Sequence, residues 1–243
     1  MKQINQIWEK RNLGIDSIEF RFDADDNAHS VIEAYNSCPP CDYILARVPD
    51  NKMDIAYKLQ ELGFRFSETN LHLSCNLKKL VLPNIFAKFY EHITEDIATD
   101  EEIELIYNSI KNGVFDTDKI ALDPKFGKEK AGYRYYQWCK DELEKGTSTA
   151  YILYFDGKPI GFYILKKVSD LVYDSLLAGL FDKSNNVGLG FSVLYSPLAQ
   201  AKKLGGTTMV TGVSSNNSAS LKMHLALGYE IKSLNYVFTK HMR

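Results

Sequence analysis

Two parts of the chain repeat the same order of hydrophobic and polar positions. The second part lies 165 residues after the first, so that residue 208 corresponds to residue 43. Apolar residues cluster at 43–48 and again at 208–213, and such short runs predict a buried β-strand in each part. A helical pattern follows in both copies and ends at Leu62-Gly63-Phe64 and at Leu227-Gly228-Tyr229. Glycine suits the first position beyond a helix. The chain therefore contains a repeated strand–helix unit.

A final strand closes both copies of the repeat. Asn70 and Asn235 stand at the same offset inside alternating segments, and alternation predicts a half-buried strand. A long stretch with several predicted helices and strands lies between the first copy and the second. We therefore predict a degenerate half-module over residues 1–80 and a complete module over residues 81–243.

The stretch between the two copies predicts the remaining elements of the complete module. They are a strand over residues 86–92, a helix opened by the capping box Thr99–Glu102, a helix between Asp123 and Gly146, a hairpin over 151–155 and 160–165, a strand over 171–180, and a helix running through Ala201. We expect the acidic residues 95–104 to be solvated carboxylates near a helix N-terminus. The predicted order is β-α-α-β-β-β-α-β-α-β-β. This indicates an α/β (α+β) fold with a mixed sheet flanked by helices.

Composition narrows the classes of protein that fit this pattern. The chain has 243 residues, 45% of them hydrophobic, which suffices for a sizeable core. Dividing the length by about 150 residues per domain gives roughly 1.6 domains. A net charge of −2, from 29 basic and 31 acidic residues, offers no basic field for nucleic acid. No apolar run is long enough to span a membrane, and the N-terminus lacks the apolar stretch of a signal peptide. We expect a cytoplasmic protein with neither nucleic-acid nor membrane partners, and a homodimer is left open.

The four cysteines predict little chemistry. Cys38-Pro39-Pro40-Cys41 has the spacing of a redox pair or of half a zinc site, but Cys75 and Cys139 are isolated along the chain. A redox pair of the thioredoxin kind needs a strand-to-helix turn, and this pair instead precedes the apolar run at residue 43. We expect reduced loop and core cysteines and no metal site.

Two glycines mark a candidate anion site. Asn185-x-x-Gly188-x-Gly190 stands where the strand over 171–180 gives way to a helix. Glycines at such a place let backbone N–H groups converge at the positive end of the helix dipole, which suits a pyrophosphate. The segment matches neither a Walker A loop nor a G-x-G-x-x-G fingerprint. A simple tight turn is the alternative interpretation.

A strand leads into the glycine loop and a helix, and these are followed by a strand that ends near Asn217 and a helix that ends in Leu227-Gly228-Tyr229. This order of elements resembles that of the GNAT superfamily of acyl-CoA-dependent N-acetyltransferases. The resemblance implies a GNAT fold preceded by a partial GNAT-like domain, with acetyl-CoA as co-substrate. It assigns the pyrophosphate and pantetheine of CoA to Asn185, Val187, Gly188, Leu189, Gly190 and Asn217. It also implies that a backbone N–H near Leu177 or Ala178 binds the thioester oxygen.

The resemblance implies proton-transfer residues as well. In the family a tyrosine seven residues after the asparagine protonates the departing thiolate, and this chain has His224 there. A histidine can donate a proton in this way, or it can merely pack against the sheet. Tyr229 and Tyr236 are reserve donors. Glu68 and Asp174 are candidate bases, although a solvated carboxylate or an amine that arrives neutral are alternatives.

The substrate that accepts the acetyl group is predicted only from the order of the two modules along the chain. A degenerate N-terminal half before a catalytic half is similar to the dTDP-fucosamine acetyltransferases, which acetylate the amine of a nucleotide-linked amino-dideoxysugar. The resemblance implies direct attack of a small-molecule amine, such as that of a dTDP-amino sugar, in a ternary complex. The aromatic residues that would stack on a base or sugar, or else fill the core, are Tyr133, Tyr135, Tyr136 and Trp138. Another amine, such as a peptide N-terminus, and a non-catalytic CoA-binding module are the alternatives.

Overall fold

A computed structural model describes residues 1–182 and 185–242 of the chain. Lys183, Ser184 and Arg243 lie outside the described residues, so part of the predicted polar loop at 182–186 is outside them too. The strands are β1 (Lys2–Asn5), β2 (Ser17–Arg21), β3 (Tyr43–Pro49), β4 (Arg65–Asn76), β5 (Ile93–Ile97), β6 (Ser148–Phe155), β7 (Lys158–Lys167), β8 (Val172–Leu180), β9 (Thr208–Ser214) and β10 (Glu230–His241). The α-helices are α1 (Trp8–Leu13), α2 (Ala28–Asn36), α3 (Met53–Glu61), α4 (Asn84–Tyr90), α5 (Asp100–Lys111), α6 (Gly127–Glu144), α7 (Ser192–Lys203) and α8 (Ser218–Ala226).

The chain divides into two compact units. The first contains Met1–Leu71, Ser214–Asn216 and Ser233–Arg243, and the second contains His72–Val213 and Asn217–Lys232. Strands β4, β9 and β10 each contribute residues to both units. The boundary at residues 80 and 81 stays a prediction.

The first unit is a small mixed sheet. Strand β1 is antiparallel to β2, β2 is parallel to β3, and β10 runs antiparallel to β3 from Asn235 opposite Pro49 to His241 opposite Tyr43. Its core packs apolar side chains of β2 and β3 against α2 and α3. The core residues include Phe20, Val31, Ile44, Val48, Ile55, Leu59, Phe64 and Phe238.

The second unit is a larger mixed sheet. Strands β5, β6, β7 and β8 form an antiparallel meander, and β9 lies parallel to β8. Helices α5 and α6 cover one face through Ile106, Ile110 and Cys139, which pack with Phe162 and Leu177 of the sheet. These pairings confirm the α/β class with a mixed sheet flanked by helices.

The internal repeat is present in the elements themselves. The bounds of β9, α8 and β10 equal those of β3, α3 and β4 shifted by 165 residues. Strand β9, for example, begins at residue 208 and β3 begins at residue 43. Gly63 and Gly228 both follow a helix with left-handed φ values of 82° and 91°, which only glycine adopts without strain. The predicted strand, helix and strand in each copy are therefore confirmed.

Local chemistry confirms several other elements. Thr99 and Glu102 form the predicted capping box of α5, with Thr99 N–H 2.8 Å from Oε2 of Glu102. The predicted hairpin between β6 and β7 turns at Asp156 and Gly157, whose φ values of 48° and 75° suit a two-residue turn. Helix α6 and strand β8 also lie where they are predicted.

Two predicted strands are wrong. The pattern at residues 86–92 predicts a strand, but these residues fall mostly in α4, and the strand of this region is β5. Phe86 stacks on Phe191 with ring centroids 4.4 Å apart, and Tyr90 meets Tyr195 edge-on at 4.9 Å. Aromatic residues four apart in sequence share a helix face, so packing against the helix region after β8 decides in favour of a helix. The two strands predicted at the C-terminus are the single strand β10.

The expectation of solvated acidic residues at 95–104 is also wrong in part. Glu95 accepts a hydrogen bond from the Tyr163 hydroxyl at 2.8 Å, and burial raises its pKa. Glu102 accepts a hydrogen bond from the Tyr154 hydroxyl, which lowers the pKa of Glu102.

No helix among residues 1–182 and 185–242 is both long and apolar enough to cross a membrane.

We predict that Gly132→Ala in α6 destabilises the protein, although alanine normally favours a helix interior by about 1 kcal/mol over glycine. A Cβ atom at Gly132 would lie 2.6 Å from the backbone oxygen of Lys111 in α5. The helices would have to separate, at a cost of about 1–3 kcal/mol. Urea unfolding measures the change. Gly190→Ala is the control, because its Cβ would meet open space, and a rise in the Gly132→Ala midpoint would contradict the prediction.

Candidate functional site

The parallel strands β8 and β9 of the second unit stop pairing with each other before either strand ends. Strands β8 and β9 pair at Val172 with Thr208, Tyr173 with Met209, and Asp174 with Val210. Beyond these pairs, the described structure records no pairing of β8 residues 175–180 with β9 residues 211–213. The hydroxyl of Thr211 donates to the carbonyl oxygen of Ser175 at 2.9 Å, so one side chain bridges the start of the opening. The divergence leaves a cleft lined by backbone groups.

A bulge in β8 determines which backbone groups face this cleft. Leu165 is opposite Ser175 and Ile164 is opposite Leu177, so Leu176 is the extra residue. Phe181 N–H donates to the Ile160 carbonyl oxygen at 2.9 Å, and antiparallel pairs alternate between bonded and non-bonded. The N–H of Leu177 therefore points to β7 and that of Ala178 points to the β9 side. Of the two predicted positions, Ala178 is the one with its N–H on the open side.

The glycine loop leads from β8 to α7. Gly188 has a left-handed φ of 88°, and a 3₁₀ turn at Leu189–Phe191 leads into α7. Gly190 has neither a positive φ nor a neighbour within 4 Å of a Cβ placed on it. The fold itself thus does not require glycine at 190, which fits a loop whose open space is filled by a ligand. Val187 is 83% exposed, as expected of a residue used through its backbone.

Two side chains of the predicted CoA set are engaged within the protein. The Asn185 side-chain amide donates to Asp182 at 2.6 Å, and this exposed residue helps to hold the loop. Asn217 is the N-cap of α8, and its Oδ1 accepts from Ser220 N–H at 3.2 Å. A role for either residue on CoA stays a prediction, and both have a structural function besides.

His224 is buried on α8, with 4% of its surface exposed. Its Nδ1 lies 2.8 Å from the backbone oxygen of Ser220. A carbonyl oxygen only accepts, so Nδ1 carries the proton, and in the neutral ring Nε2 has a free lone pair. Burial lowers the pKa of His224, which keeps the ring neutral near pH 7. Nε2 is therefore a proton acceptor before it is a donor.

Tyr229 packs against His224. The two rings meet edge-on with centroids 4.8 Å apart. The Tyr229 hydroxyl is buried and has no hydrogen-bond partner among the described residues, and burial raises its pKa well above the ordinary value. A buried hydroxyl without a partner costs free energy, so this group keeps a hydrogen-bond donor that the protein does not use.

Asp174 is a half-buried carboxylate at the last position where β8 pairs with β9. Burial raises its pKa to about 6, the nearby Lys166 lowers it, and Glu142 raises it. Lys166 lies directly opposite Asp174 on β7, and its Nζ is 2.7 Å from Glu142 of α6. Glu142 is 5% exposed and also binds Lys145 at 2.7 Å. A carboxylate with a pKa of about 6 suits a general base.

Glu142 and Lys166 were not among the predicted site residues, although each carries a signal in the sequence. Glu142 stands three residues after Cys139, on the buried stripe of α6, and a charged residue at a core position is informative. Lys166 could have been paired with Asp174 by continuing the antiparallel register through the turn between β7 and β8.

Glu68 belongs to the first unit. It lies inside β4 rather than in a turn, and it is 1% exposed. Its Oε2 accepts from the Ser214 hydroxyl at 2.7 Å. The alternative of a solvated carboxylate is therefore wrong, because folding removes Glu68 from water and gives it a hydrogen-bond donor. Its role as a base stays a prediction.

Most of the predicted aromatic residues on α6 are packed. Tyr135, Tyr136 and Trp138 lie against the core under α6, and Lys111 lies 3.9 Å from the centre of the Tyr136 ring. Tyr133 is 41% exposed, and its hydroxyl accepts from Gln137 at 2.7 Å. Of the four, Tyr133 is the most available to a ligand.

The cysteines are all free thiols. Cys38 and Cys41 are half-buried with their sulfurs 3.9 Å apart, and Cys75 and Cys139 are buried. Burial raises the pKa of Cys38 and of Cys139 to about 12, which disfavours the reactive thiolate. Within the described ranges, no group of three or more His, Cys, Asp or Glu side chains could hold a metal ion.

Comparison with known proteins relates the fold to one class. No protein-family model matches the chain, and no curated protein matches it. Among solved structures, a GCN5-related N-acetyltransferase from Kribbella flavida is 17% identical over 93% of this chain and 81% of its own, with a TM-score of 0.56. One from Sphaerobacter thermophilus is 10% identical over 83% of this chain, with a TM-score of 0.59. This chain spans only 60% of the Sphaerobacter protein.

A third similar structure is a fungal one. It is described as a GCN5-related glucosamine N-acetyltransferase region of a multi-domain β-N-acetylglucosaminidase, and it is 15% identical over 82% of this chain and 25% of its own, with a TM-score of 0.61. At these identities the likeness concerns the fold. The chain has the fold of the GCN5-related N-acetyltransferases.

We predict that Asp174→Asn stabilises the protein at pH 8 and not at pH 4. The folded carboxyl has a pKa of about 6 against an ordinary value of 3.8. Its favourable contribution is therefore complete below pH 3.8 and is lost as the pH rises through 6. The asparagine variant should gain about 2 kcal/mol at pH 8. Chemical denaturation at both pH values measures the difference.

The control for this prediction is Asp170→Asn. Asp170 is exposed, and Lys167 lowers its pKa, so its removal should bring no stabilisation at pH 8. Equal gains for Asp174→Asn at pH 4 and pH 8 would show that ionisation is not the cause.

Proposed function

We propose that the protein is an acetyl-CoA-dependent N-acetyltransferase that acts by direct attack of an amine on the thioester in a ternary complex. The observation that carries this proposal is the divergence of β8 and β9 after Asp174 and Val210, with a glycine loop after β8 and His224 on α8. The GNAT fold supports it. The acetyl group would come from the thioester, and the chain's residues hold, polarise and move protons.

The glycine loop and the open strand edge would hold acetyl-CoA. Backbone N–H groups at Val187, Gly188 and Gly190 would bind the pyrophosphate ahead of α7, where the helix dipole favours an anion. The pantetheine arm would lie along residues 176–180, for which the described part of the chain shows no backbone pairing with β9. The N–H of Ala178 would bind the thioester oxygen as negative charge develops on it. This binding needs no basic surface, which agrees with the net charge of −2.

Protons would move through Asp174 and His224. As the amine nitrogen bonds to the thioester carbon, it must lose a proton, and as the carbon–sulfur bond breaks, the thiolate must gain one. A carboxylate with a raised pKa can take the first proton, directly or through water. Since Nε2 of neutral His224 carries no proton, His224 would take up a proton before it gives one to the sulfur. The Tyr229 hydroxyl, which already carries a proton, is the second donor.

The acceptor we propose is the amine of a nucleotide-linked amino-dideoxysugar, such as a dTDP-amino sugar. Two observations support it: the repeat of strand, helix and strand that precedes the second unit, and the exposed ring of Tyr133, which can stack on a sugar or base. One structural neighbour is described as a glucosamine N-acetyltransferase region. Other small amines are the competing acceptors.

The decisive experiment measures CoA release from acetyl-CoA with a panel of acceptors. The panel contains dTDP-amino-dideoxysugars, glucosamine, a peptide with a free N-terminus, and a polyamine. Turnover that is at least tenfold more efficient with the dTDP-sugars supports the full proposal. Turnover only with another amine contradicts the acceptor, whereas CoA binding without turnover on any amine contradicts the activity.

We predict that Gly190→Ala raises KM for acetyl-CoA about tenfold and leaves kcat almost unchanged. The added methyl group would occupy the open space at the loop and weaken the binding of the ground state and the transition state alike. Steady-state kinetics at saturating acceptor provide the measurement. KM for the acceptor is the internal control, and an unchanged KM for acetyl-CoA would refute the loop assignment.

We also predict that His224→Phe lowers kcat by a factor of about 100 or more, the usual range for a lost acid–base group. His224→Tyr should restore most of it, because a tyrosine hydroxyl can donate to the thiolate. Tyr229→Phe should lower kcat less than tenfold. Full turnover of both His224 variants would show that His224 only packs, and a larger loss in Tyr229→Phe would identify the tyrosine as the donor.

A further inference from the structure

A second concave surface lies in the second unit, at the other end of β9. A cavity of about 360 Å³ opens there beside Thr207 and Thr208. Thr208 pairs with Val172 at the start of the parallel ladder. The cleft between β8 and β9 begins only after Val210, so the cavity is separate from the proposed CoA site. The residues that line it are Ser74, Asn76, Lys78, Lys79, Thr207, Thr208, Glu230 and Lys232.

The rim of the cavity has an excess of positive charge. Three lysines face one carboxylate, Glu230, which Lys232 binds at 2.7 Å. The hydrogen bond from Lys232, and then the charge of Lys79, hold the pKa of Glu230 below its usual value. Neither Lys78 nor Lys79 forms an ion pair within residues 1–182 and 185–242. Three ammonium groups and one carboxylate thus leave a net charge of +2 around the cavity.

The floor of the cavity is made of hydrogen-bonding groups. Ser74, Thr207 and Thr208 are half-buried there and carry hydroxyl groups, of which that of Thr207 already donates to the Leu171 carbonyl oxygen at 3.4 Å. The side-chain oxygen of Asn76 accepts from Lys78 N–H at 3.0 Å, so its amide nitrogen remains a donor. Donors therefore outnumber acceptors around the cavity. Such a set of ammonium, amide and hydroxyl groups is complementary to an anion with several acceptor oxygens.

We propose that this cavity binds the phosphate group of a small phosphorylated compound. Its volume falls at the lower end of the range for small-molecule sites, about 300–1,000 Å³. It suits inorganic phosphate or a short phosphate monoester. A phosphate dianion matches the two uncompensated lysine charges, which a monocarboxylate does not. Extended nucleic acid is disfavoured because the chain has a net charge of −2 and the lysines form a pocket rather than a stripe.

Calorimetric titration of the whole protein at constant ionic strength tests the proposal. The two probes are inorganic phosphate and glycerol 3-phosphate, each added without CoA and again with saturating CoA. We expect saturable 1:1 binding that CoA does not abolish. Tighter binding of glycerol 3-phosphate indicates a monoester ligand, and equal binding indicates the free anion. Because turnover is not measured, failure of the proposed activity leaves this test unaffected.

Paired variants give effects of opposite sign. Lys79→Met removes an uncompensated charge and should weaken phosphate binding at least fivefold. Glu230→Gln removes the carboxylate that faces the lysines and should tighten it about threefold. Lys158→Met is the matched control, since Lys158 is an exposed lysine at the start of β7, outside the cavity, and it should change nothing.

Three results would overturn the proposal. The first is an absence of saturable phosphate binding. The second is equal weakening in Lys79→Met and Lys158→Met, which would indicate general screening. The third is displacement of phosphate by CoA together with an unchanged affinity in Lys79→Met, which would place the anion at the glycine loop instead.

Discussion

The candidate site depends on one constraint, which is that β8 and β9 lose their hydrogen-bonded ladder while both strands continue. Backbone N–H and C=O groups are strong donors and acceptors, and leaving them unpaired is costly. One side chain limits that cost, because Thr211 satisfies the Ser175 carbonyl with its hydroxyl. The bulge at Leu176 decides which groups stay unpaired, since it shifts the alternation so that the N–H of Ala178 faces the opening. The groups that remain are those a polar, extended ligand can satisfy.

The same region concentrates polar groups that a stable core would avoid. Asp174 has a raised pKa, the Tyr229 hydroxyl is buried with no hydrogen-bond partner in the described part of the chain, and His224 is buried with its ring neutral. Each arrangement costs folding free energy. Such costs gather at sites where a ligand completes the interactions. The ion pairs of Glu142 with Lys145 and Lys166 offset part of the cost, since they keep a buried carboxylate compensated beside Asp174.

Much of the fold could be predicted because its signals are local. The capping box of Thr99 and Glu102 is determined by four consecutive residues, and the hairpin turn at Asp156-Gly157 is determined by two. The repeat is readable because both copies keep a glycine after the helix where φ must be positive. Helix α4 was missed for the opposite reason. Its apolar residues fit a strand or a short helix, and only the stacking of Phe86 on Phe191, far away in sequence, decides between them.

The sequence by itself determined the order of most elements, the glycine loop, and the placing of His224 seven residues after Asn217. These follow from short-range backbone preferences and from spacing. Tertiary structure alone decided which groups face the cleft, which nitrogen of His224 carries the proton, and how Lys166 and Glu142 surround Asp174. Those features depend on strand register and burial. A shift of one residue in register turns every side chain to the opposite face, and burial changes a pKa without any change in sequence.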